Sequence, residues 1–190
     1  MLMRNAGLSF EVIVSHVDEE ALQAANSELL PADLVVKLAE AKAQAVASQV
    51  SDALVIAADS MFLFDGSLYG KPLDPEIARD RLRRMQGKFG ELITGHAVID
   101  TNTGICETAV ASAVVQFGEM TETEISDYLA STEPLHVAGN FTLDGLGAAF
   151  IQQVSGDPAA VVGLSLYAVR NLIKRHGYQY TQLWQLGSNN

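Results

Sequence analysis

The sequence has one cysteine, Cys106, and far fewer basic residues than acidic ones. A lone cysteine excludes an internal disulfide and a cysteine-based zinc site, as is typical of a protein in a reducing cytoplasm. With 23 Asp and Glu against 12 Lys and Arg, the formal net charge is −11. Such a charge repels nucleic-acid backbones and anionic membranes, so the composition argues against a DNA- or RNA-binding module and against membrane association.

Long apolar segments are also missing. No apolar run is long enough to cross a bilayer, and the first seven residues lack the apolar core of a secretory signal. Hydrophobic residues still make up 48% of the chain, which is enough for a folded core. We therefore expect a soluble cytoplasmic protein with a single domain over residues 1–190 and a tail that frays from about residue 182.

Strand and helix patterns alternate along the chain. Strands are predicted at residues 10–14, 53–58, 91–99, 108–117 and 149–154, and the main helices at 31–46, 75–87, 121–129 and 165–175. The continuous apolar run Ala53–Ala58 is typical of a strand buried on both faces in a parallel sheet. The two central strands, joined by Asn102-Thr103-Gly104, look antiparallel. The predicted fold class is therefore α/β, with a mixed, twisted sheet flanked by helices.

Asp59 directly follows that apolar run, which places it at the predicted end of a buried strand. In open α/β sheets the crevice beyond the carboxyl ends of the strands is the usual ligand site. A carboxylate there can hold a metal ion or accept a proton from water. The alternative is that Asp59 caps a turn, and position alone does not separate the two interpretations.

Two lysines are candidate ligands for an anion. Lys71 lies between Gly70 and Pro72, whose rigid backbone would place it after the predicted Asp65-Gly66 turn, although a solvated loop lysine is more common. Lys42 lies in an apolar helical stripe, so it either faces an anionic group or extends along the surface to solvent.

Several familiar motifs are absent. No Gly-Lys pair is followed by Ser or Thr as in a P-loop, and the four histidines are too scattered for a metal site. Gly163-Leu164-Ser165 lacks the final glycine of a nucleophile elbow, so Ser165 is interpreted as a helix cap. The arginines between Arg79 and Arg84 are interpreted as a helix surface with no role in a site.

A series of segments in one order carries a resemblance. They are Val17-Asp18-Glu19, Leu38-Ala39-Glu40-Ala41-Lys42-Ala43, Val55-Ile56-Ala57-Ala58-Asp59-Ser60, Gly70-Lys71-Pro72, Met85-Gln86-Gly87-Lys88, Thr94-Gly95, Glu133-Pro134-Leu135-His136-Val137-Ala138-Gly139 and Val161-Val162-Gly163-Leu164. Together they resemble the Maf family of nucleotide pyrophosphatases, also called septum formation proteins. The resemblance covers nearly the whole chain.

The resemblance implies a fold similar to inosine triphosphate pyrophosphatase, with a cleft between two lobes. It implies Mg²⁺- or Mn²⁺-dependent hydrolysis of nucleoside triphosphates to monophosphate and pyrophosphate. This activity would remove non-standard nucleotides from the pool, with a link to cell division arrest. By resemblance Asp59 is the proton acceptor, Asp59 and Glu19 hold the metal, and Lys42, Lys71 and Thr94 bind substrate. A homodimer is compatible with the resemblance, although no sequence stripe demands one.

The sequence departs from the family pattern at its start. Family members usually begin with a strand and a Ser-x-Ser-Pro-Arg-Arg loop before the first helix, whereas Met1 aligns within that helix. We therefore expect the N-terminal strand to be missing, through a start codon assigned too late, and phosphate binding to be weakened. The alternative function is a nucleotide-binding regulatory protein with little or no turnover.

A second departure concerns the base. Pyrimidine-preferring members carry Ala-Tyr-Gly-Ile-Gln-Gly where this sequence has Asn140-Phe141-Thr142-Leu143-Asp144-Gly145. Asp144 takes the glutamine position and is therefore expected to contact the base. The preference is left open between pyrimidines and methylated guanine.

Overall fold

A computed structural model describes residues 2–185. Its centre is an open antiparallel sheet with the strand order β2-β1-β3-β4-β5. The strands are β1 Leu54–Phe64, β2 Ser67–Tyr69, β3 Phe89–Asp100, β4 Cys106–Phe117 and β5 Ile151–Gly156. Helices flank the sheet, so the predicted α/β class is confirmed.

Most α-helices begin at a proline or at a side-chain cap that the sequence shows. They are α1 Leu2–Asn5, α2 Glu19–Ala25, α3 Pro31–Ala47, α4 Pro75–Met85, α5 Glu122–Ala130, α6 Pro158–Val161 and α7 Leu166–Arg175. Proline at the first helical position has no orphaned N–H to satisfy, which explains the starts of α3, α4 and α6. Thr121 forms a capping box with Glu124, and Ser165 caps α7 as predicted.

The predicted turn between β1 and β2 is confirmed. Phe64 pairs with Ser67, which leaves Asp65 and Gly66 as a two-residue loop. Their φ angles are 51° and 73°, the left-handed values that a type I′ hairpin turn requires.

The chain divides into two compact units, each built from separate parts of the sequence. The first unit contains Met1–Asp59, Gly95–Val110 and Leu164–Asn190, and the second contains Ser60–Thr94 and Ala111–Gly163. The single domain over residues 1–190 stays a prediction.

In the first unit, helices cover both faces of the sheet. Val55 packs with Ala39 and Ala43 of α3, whereas Leu54 and Ile56 pack on the cluster that contains α7. Alternate residues of a strand point to opposite faces, so both sets of side chains are covered. This explains the apolar run Ala53–Ala58 without parallel pairing. The prediction of a parallel strand here is therefore wrong.

The core of the second unit is rich in aromatic rings. Phe62 lies edge-on to Phe117 and to Phe141, with ring centroids 5.7 and 5.6 Å apart. Phe117 and Phe141 also meet edge-on at 5.1 Å. Such edge-to-face contacts are the favoured geometry for aromatic side chains and fix how the segment after Asn140 packs on the sheet.

The predicted strand at Phe10–Val14 is wrong, because these residues form no regular structure. Val12 is 79% exposed, so the apolar residues there have no sheet against which to alternate. The last strand also begins later than predicted, since residues Leu146–Phe150 form a 3₁₀ helix before Ile151.

The predicted frayed tail falls partly on described residues. Tyr180–Leu183 form a 3₁₀ turn, and Trp184 makes an isolated antiparallel bridge with Leu8. The rest of that prediction, from residue 186 onward, lies outside the described residues.

One edge of β1 is open. β2 pairs with β1 only at Phe62–Phe64, and no other strand between residues 2 and 185 lies beside Leu54–Ala58 on that side. A groove of about 550 Å³ runs there, lined by β1, by residues of the 9–15 segment and by Lys42. Within the same described part, no helix is long and apolar enough to cross a membrane.

Candidate active site

Lys42 projects from α3 towards β1 in the first unit. Leu38, Ala39 and Ala43 of the same helix are fully buried. By helical spacing, Lys42 lies at the edge of this buried face. Its side chain is only 18% exposed. The ammonium therefore faces carboxylates of the protein, which favours the anionic-partner interpretation over extension to solvent.

Lys42 joins two carboxylates. Its Nζ lies 2.6 Å from Asp59 Oδ1 and 2.8 Å from Glu19 Oε1. Asp59 is 8% exposed and Glu19 is partly exposed, so the three charges run from the buried strand towards the surface. The structure thus brings together three of the predicted site residues.

Electrostatics favour the charged form of Lys42. Burial alone would lower the pKa of the ammonium, but hydrogen bonds and charge attraction from Asp59 and Glu19 outweigh it and raise that pKa. A lysine in this state is a permanent cation at neutral pH. It can balance one negative charge of the carboxylate pair or of a ligand.

Asp59 does not lie at a strand end, as the sequence suggested. β1 continues to Phe64, and Asp59 lies near its middle. The apolar run stops at Ala58, but backbone pairing continues, and Phe62 and Phe64 enter the core of the second unit. The prediction of a strand end was therefore wrong in position, while a buried carboxylate on this strand was found.

Glu19 owes its place to the cap of α2. The Asp18 side chain accepts a hydrogen bond from the Ala21 backbone N–H at 2.9 Å, which starts the helix. Glu19 is then the first helical residue and meets Lys42, whereas Glu20 is exposed. The acidic triplet therefore divides into a cap, a site residue and a surface residue.

Thr94 is fully buried in the second unit. Its hydroxyl donates to the Ala160 carbonyl at 2.9 Å and shares a 2.8 Å hydrogen bond with the Ser60 hydroxyl. Ser60 follows Asp59 in the chain. Thr94 therefore fixes the residue next to the candidate base.

Gly95 explains the second half of the Thr-Gly motif. A Cβ at this position would overlap the backbone of Val35 in α3. Only glycine allows the helix and β3 to approach this closely. The motif residue therefore sets how α3, which carries Lys42, packs on the sheet.

Lys71 lies exposed in the loop between β2 and α4, in the second unit. Arg81 holds the start of this loop: its Nη1 donates to the Gly70 carbonyl at 2.8 Å, and its guanidinium lies 4.7 Å from the centre of the Tyr69 ring. From the sequence, Arg81 was predicted to be part of a helix surface with no role in a site. Its helical spacing from buried Ala78 was the signal that could have found it.

Asp144 is exposed in the second unit, in the loop that follows Phe141. The carboxylate of Glu133 lies inside this loop and accepts hydrogen bonds from its backbone and side chains. Glu133 appeared in the sequence only as part of a matching segment. No local pattern shows that it organises the loop, because its partners lie up to 14 residues away.

The carboxylates of Asp59 and Glu19 are the candidate ligands for a metal ion. Between residues 2 and 185, no three His, Cys, Asp or Glu side chains converge as a metal site. Asp59 and Glu19 nevertheless share one cation, the Lys42 ammonium. Mg²⁺ in nucleotide enzymes is commonly bound by one or two carboxylates, with phosphates and water as the other ligands. This pair therefore fits such an ion.

The comparisons with known proteins decide the family. The Maf pattern, described as "Maf-like protein", matches residues 1–176. The chain belongs to the Maf family. It is 51% identical to a nucleoside triphosphate pyrophosphatase of Streptomyces coelicolor over 185 residues, 96% of this chain and 88% of that protein. The corresponding protein of Mycolicibacterium gilvum is 45% identical over 192 residues, 96% of this chain and 92% of that protein.

Proposed function

We propose that this Maf protein hydrolyses nucleoside triphosphates to nucleoside monophosphate and pyrophosphate, with Asp59 as proton acceptor. The observation that carries the proposal is the buried Asp59 carboxylate held 2.6 Å from Lys42 beside Glu19. The relatives support the reaction class, since those described above are named nucleoside triphosphate pyrophosphatases.

In the proposed step, the Asp59 carboxylate takes a proton from a water molecule. The water oxygen forms a bond to the α-phosphorus while the bond from that phosphorus to the bridging oxygen breaks, and pyrophosphate leaves with the electron pair. Asp59 suits this role because its burial limits competition from bulk water, and the Lys42 ammonium 2.6 Å away orients its carboxylate.

The two lysines place positive charge locally in a protein that is acidic as a whole. A net charge of −11 repels a triphosphate, so positive charge must be placed locally. Lys42 supplies it beside Asp59, and we assign Lys71 the same role on phosphate from its loop. Preorganised charge at groups that become more negative in the transition state is usually the largest catalytic contribution. Thr94 supports the site through Ser60, and we assign Asp144 to the base.

Asp59 and Glu19 would hold the divalent metal ion, Mg²⁺ or Mn²⁺. When bound, such an ion supplies Lewis acidity that polarises a phosphoryl oxygen. The residues themselves must then exchange partners, because both carboxylates contact Lys42 in this structure. Release of the ammonium would leave Lys42 available to the substrate phosphates.

Product analysis tests this function directly. The purified full chain is incubated with a panel of nucleoside triphosphates and Mg²⁺ or Mn²⁺, and pyrophosphate and orthophosphate are measured separately. We expect monophosphate and pyrophosphate in equal amounts, lost in Asp59→Asn and retained in Asp80→Asn, which removes an exposed carboxylate on α4. Orthophosphate as first product, or full activity in Asp59→Asn, would reject the proposal.

A further inference from the structure

Glu133 collects an unusual number of hydrogen bonds for one carboxylate. Its Oε1 accepts from the Tyr128 hydroxyl at 2.9 Å, the Thr142 hydroxyl at 2.7 Å and the Gly147 backbone N–H at 2.9 Å. Its Oε2 accepts from the Leu146 backbone N–H at 3.0 Å. Three of these donors belong to the segment 142–147, so the segment is wrapped around one anion.

The glycines of this segment show how closely it is wrapped. A Cβ at Gly145 would overlap the Glu133 carboxylate, and a Cβ at Gly147 would overlap the Tyr128 hydroxyl. The chain therefore contacts the carboxylate directly with its backbone, and small shifts of the loop would break several hydrogen bonds together. Glu133 thereby favours one loop conformation.

The wrapped segment presents two different groups to solvent. Asp144 is exposed, and Leu146, two residues further, is 59% exposed. A carboxylate beside an apolar side chain suits a nucleobase, whose edge carries hydrogen-bonding groups and whose face is apolar. The loop tip therefore has the chemistry of a base-reading surface, and Glu133 lies behind it.

We propose that Glu133 is a positioning residue for nucleobase selectivity: it holds the Thr142–Gly147 loop so that Asp144 meets the base in one geometry. The inference rests on the proposed function, in which Asp144 contacts the base. We assign Glu133 no contact with substrate, because its carboxylate already accepts four hydrogen bonds from its own unit.

Glutamine is the sharpest replacement because it keeps the shape and removes the charge. The amide retains one acceptor oxygen and turns an N–H₂ group towards donors, so part of the network must break. Selectivity between two bases depends on a difference in contacts, so a loosened loop should lower the ratio of rates more than the rate for the preferred base.

The test measures kcat and KM of Glu133→Gln on the nucleoside triphosphate that wild type prefers and on the next best one. We expect the ratio of the two kcat/KM values to fall by about tenfold, with kcat on the preferred nucleotide much less affected. Glu122→Gln is the matched control, since Glu122 is an exposed carboxylate held by Arg83 at 2.6 and 2.8 Å. Its ratio should match wild type.

A merely structural Glu133 would lower kcat/KM for both nucleotides equally, and that result would overturn the inference. If Glu133→Gln does not fold, Tyr128→Phe and Thr142→Val each remove one donor and leave the carboxylate, and an unchanged ratio in both also overturns it. The same nucleotides are titrated calorimetrically. If wild type binds nucleotides without turnover, the proposed function is wrong. The role of Glu133 is then decided by comparing the ratio of the Kd values for the two nucleotides between wild type and the variants.

Discussion

Lys42 Nζ lies 2.6 Å from Asp59 Oδ1, which ties α3 to the middle of β1 through one short ion pair. Both side chains are mostly removed from solvent. Removing one partner of a buried pair leaves an uncompensated charge, which is typically destabilising by about 3–5 kcal/mol. Substitutions at this pair must therefore be judged on stability and on turnover separately.

Lys42→Met should reduce kcat/KM by about 10²–10³ and lower the melting temperature, because the cation and the partner of Asp59 are lost together. Lys42→Arg keeps the charge and should retain more of the stability than of the activity. Lys37→Met, at an exposed position of the same helix, is the control and should resemble wild type. Calorimetry and pyrophosphate release measure the two effects. Wild-type turnover in Lys42→Met would show that the reaction does not need this lysine.

Gly95→Ala should destabilise the fold, because the added methyl group overlaps the Val35 backbone of α3. Overpacking of this kind costs about 1–3 kcal/mol, and each kcal/mol lowers the melting temperature of a chain of this size by about 2–4 °C. Gly70→Ala is the matched control, since nothing lies within 4 Å of a Cβ built there. Equal melting temperatures for the two variants would contradict the close approach.

Acid should unfold the protein partly through Glu133. Burial would raise the pKa of this carboxyl, but hydrogen bonds from Leu146, Thr142, Gly147 and Tyr128 outweigh it and lower the pKa. The folded pKa then lies below the unfolded value of about 4.3. The stabilisation is present above the unfolded pKa and is lost as pH falls through the folded pKa.

The melting temperature of Glu133→Gln should therefore fall less steeply than that of wild type as pH is lowered from about 5. Glu28→Gln, an exposed position outside this network, serves as the comparison and should follow wild type. Parallel slopes for wild type and Glu133→Gln would show that the hydrogen bonds do not favour the ionised carboxyl.

Asp144→Asn should change which base is preferred. An ionised carboxylate only accepts hydrogen bonds, so it suits guanine, whose edge offers neighbouring N–H groups, better than uracil, whose N–H lies between two carbonyl oxygens. The amide adds a donor at nearly the same size. We expect the ratio of kcat/KM for GTP to that for UTP to fall by about tenfold, measured by pyrophosphate release. Asp127→Asn, at an exposed position on α5, is the control and should leave the ratio unchanged. An unchanged ratio in Asp144→Asn would show that Asp144 does not contact the base.

Local chemistry made much of the fold predictable. Pro31 and Ser165 start their helices where the sequence indicated, and Asp65-Gly66 forms the expected hairpin turn. These signals act within a few residues, so tertiary packing does not override them. Lys42 differs, because its apolar stripe left an anionic partner and extension to solvent both open, and only the distant carboxylates of Asp59 and Glu19 distinguish them.

Other features depend on parts of the chain far apart in sequence. Phe10–Val14 forms no strand, because no sheet covers alternate side chains of this segment. Whether such a sheet lies beside the segment depends on tertiary structure and not on the local sequence. Helices cover both faces of β1, so its sequence is continuously apolar, as that of a strand in a parallel sheet would be. Glu133 acts through partners up to 14 residues away, which no local spacing reveals. The spacing of Arg81 from buried Ala78 indicated that it packs near the core, but not that it holds the Gly70 carbonyl. Metal and base contacts at the predicted site residues stay predictions.

The open edge of β1 has a consequence for hydrogen exchange. Alternate backbone amides of Leu54–Ala58 point towards β3, and those between them point to the side where no strand of the described residues lies. The first set should exchange with solvent slowly and the second set quickly, although both belong to the strand that carries Asp59. Two neighbouring amides would then report separately on the inner and the outer side of the same strand.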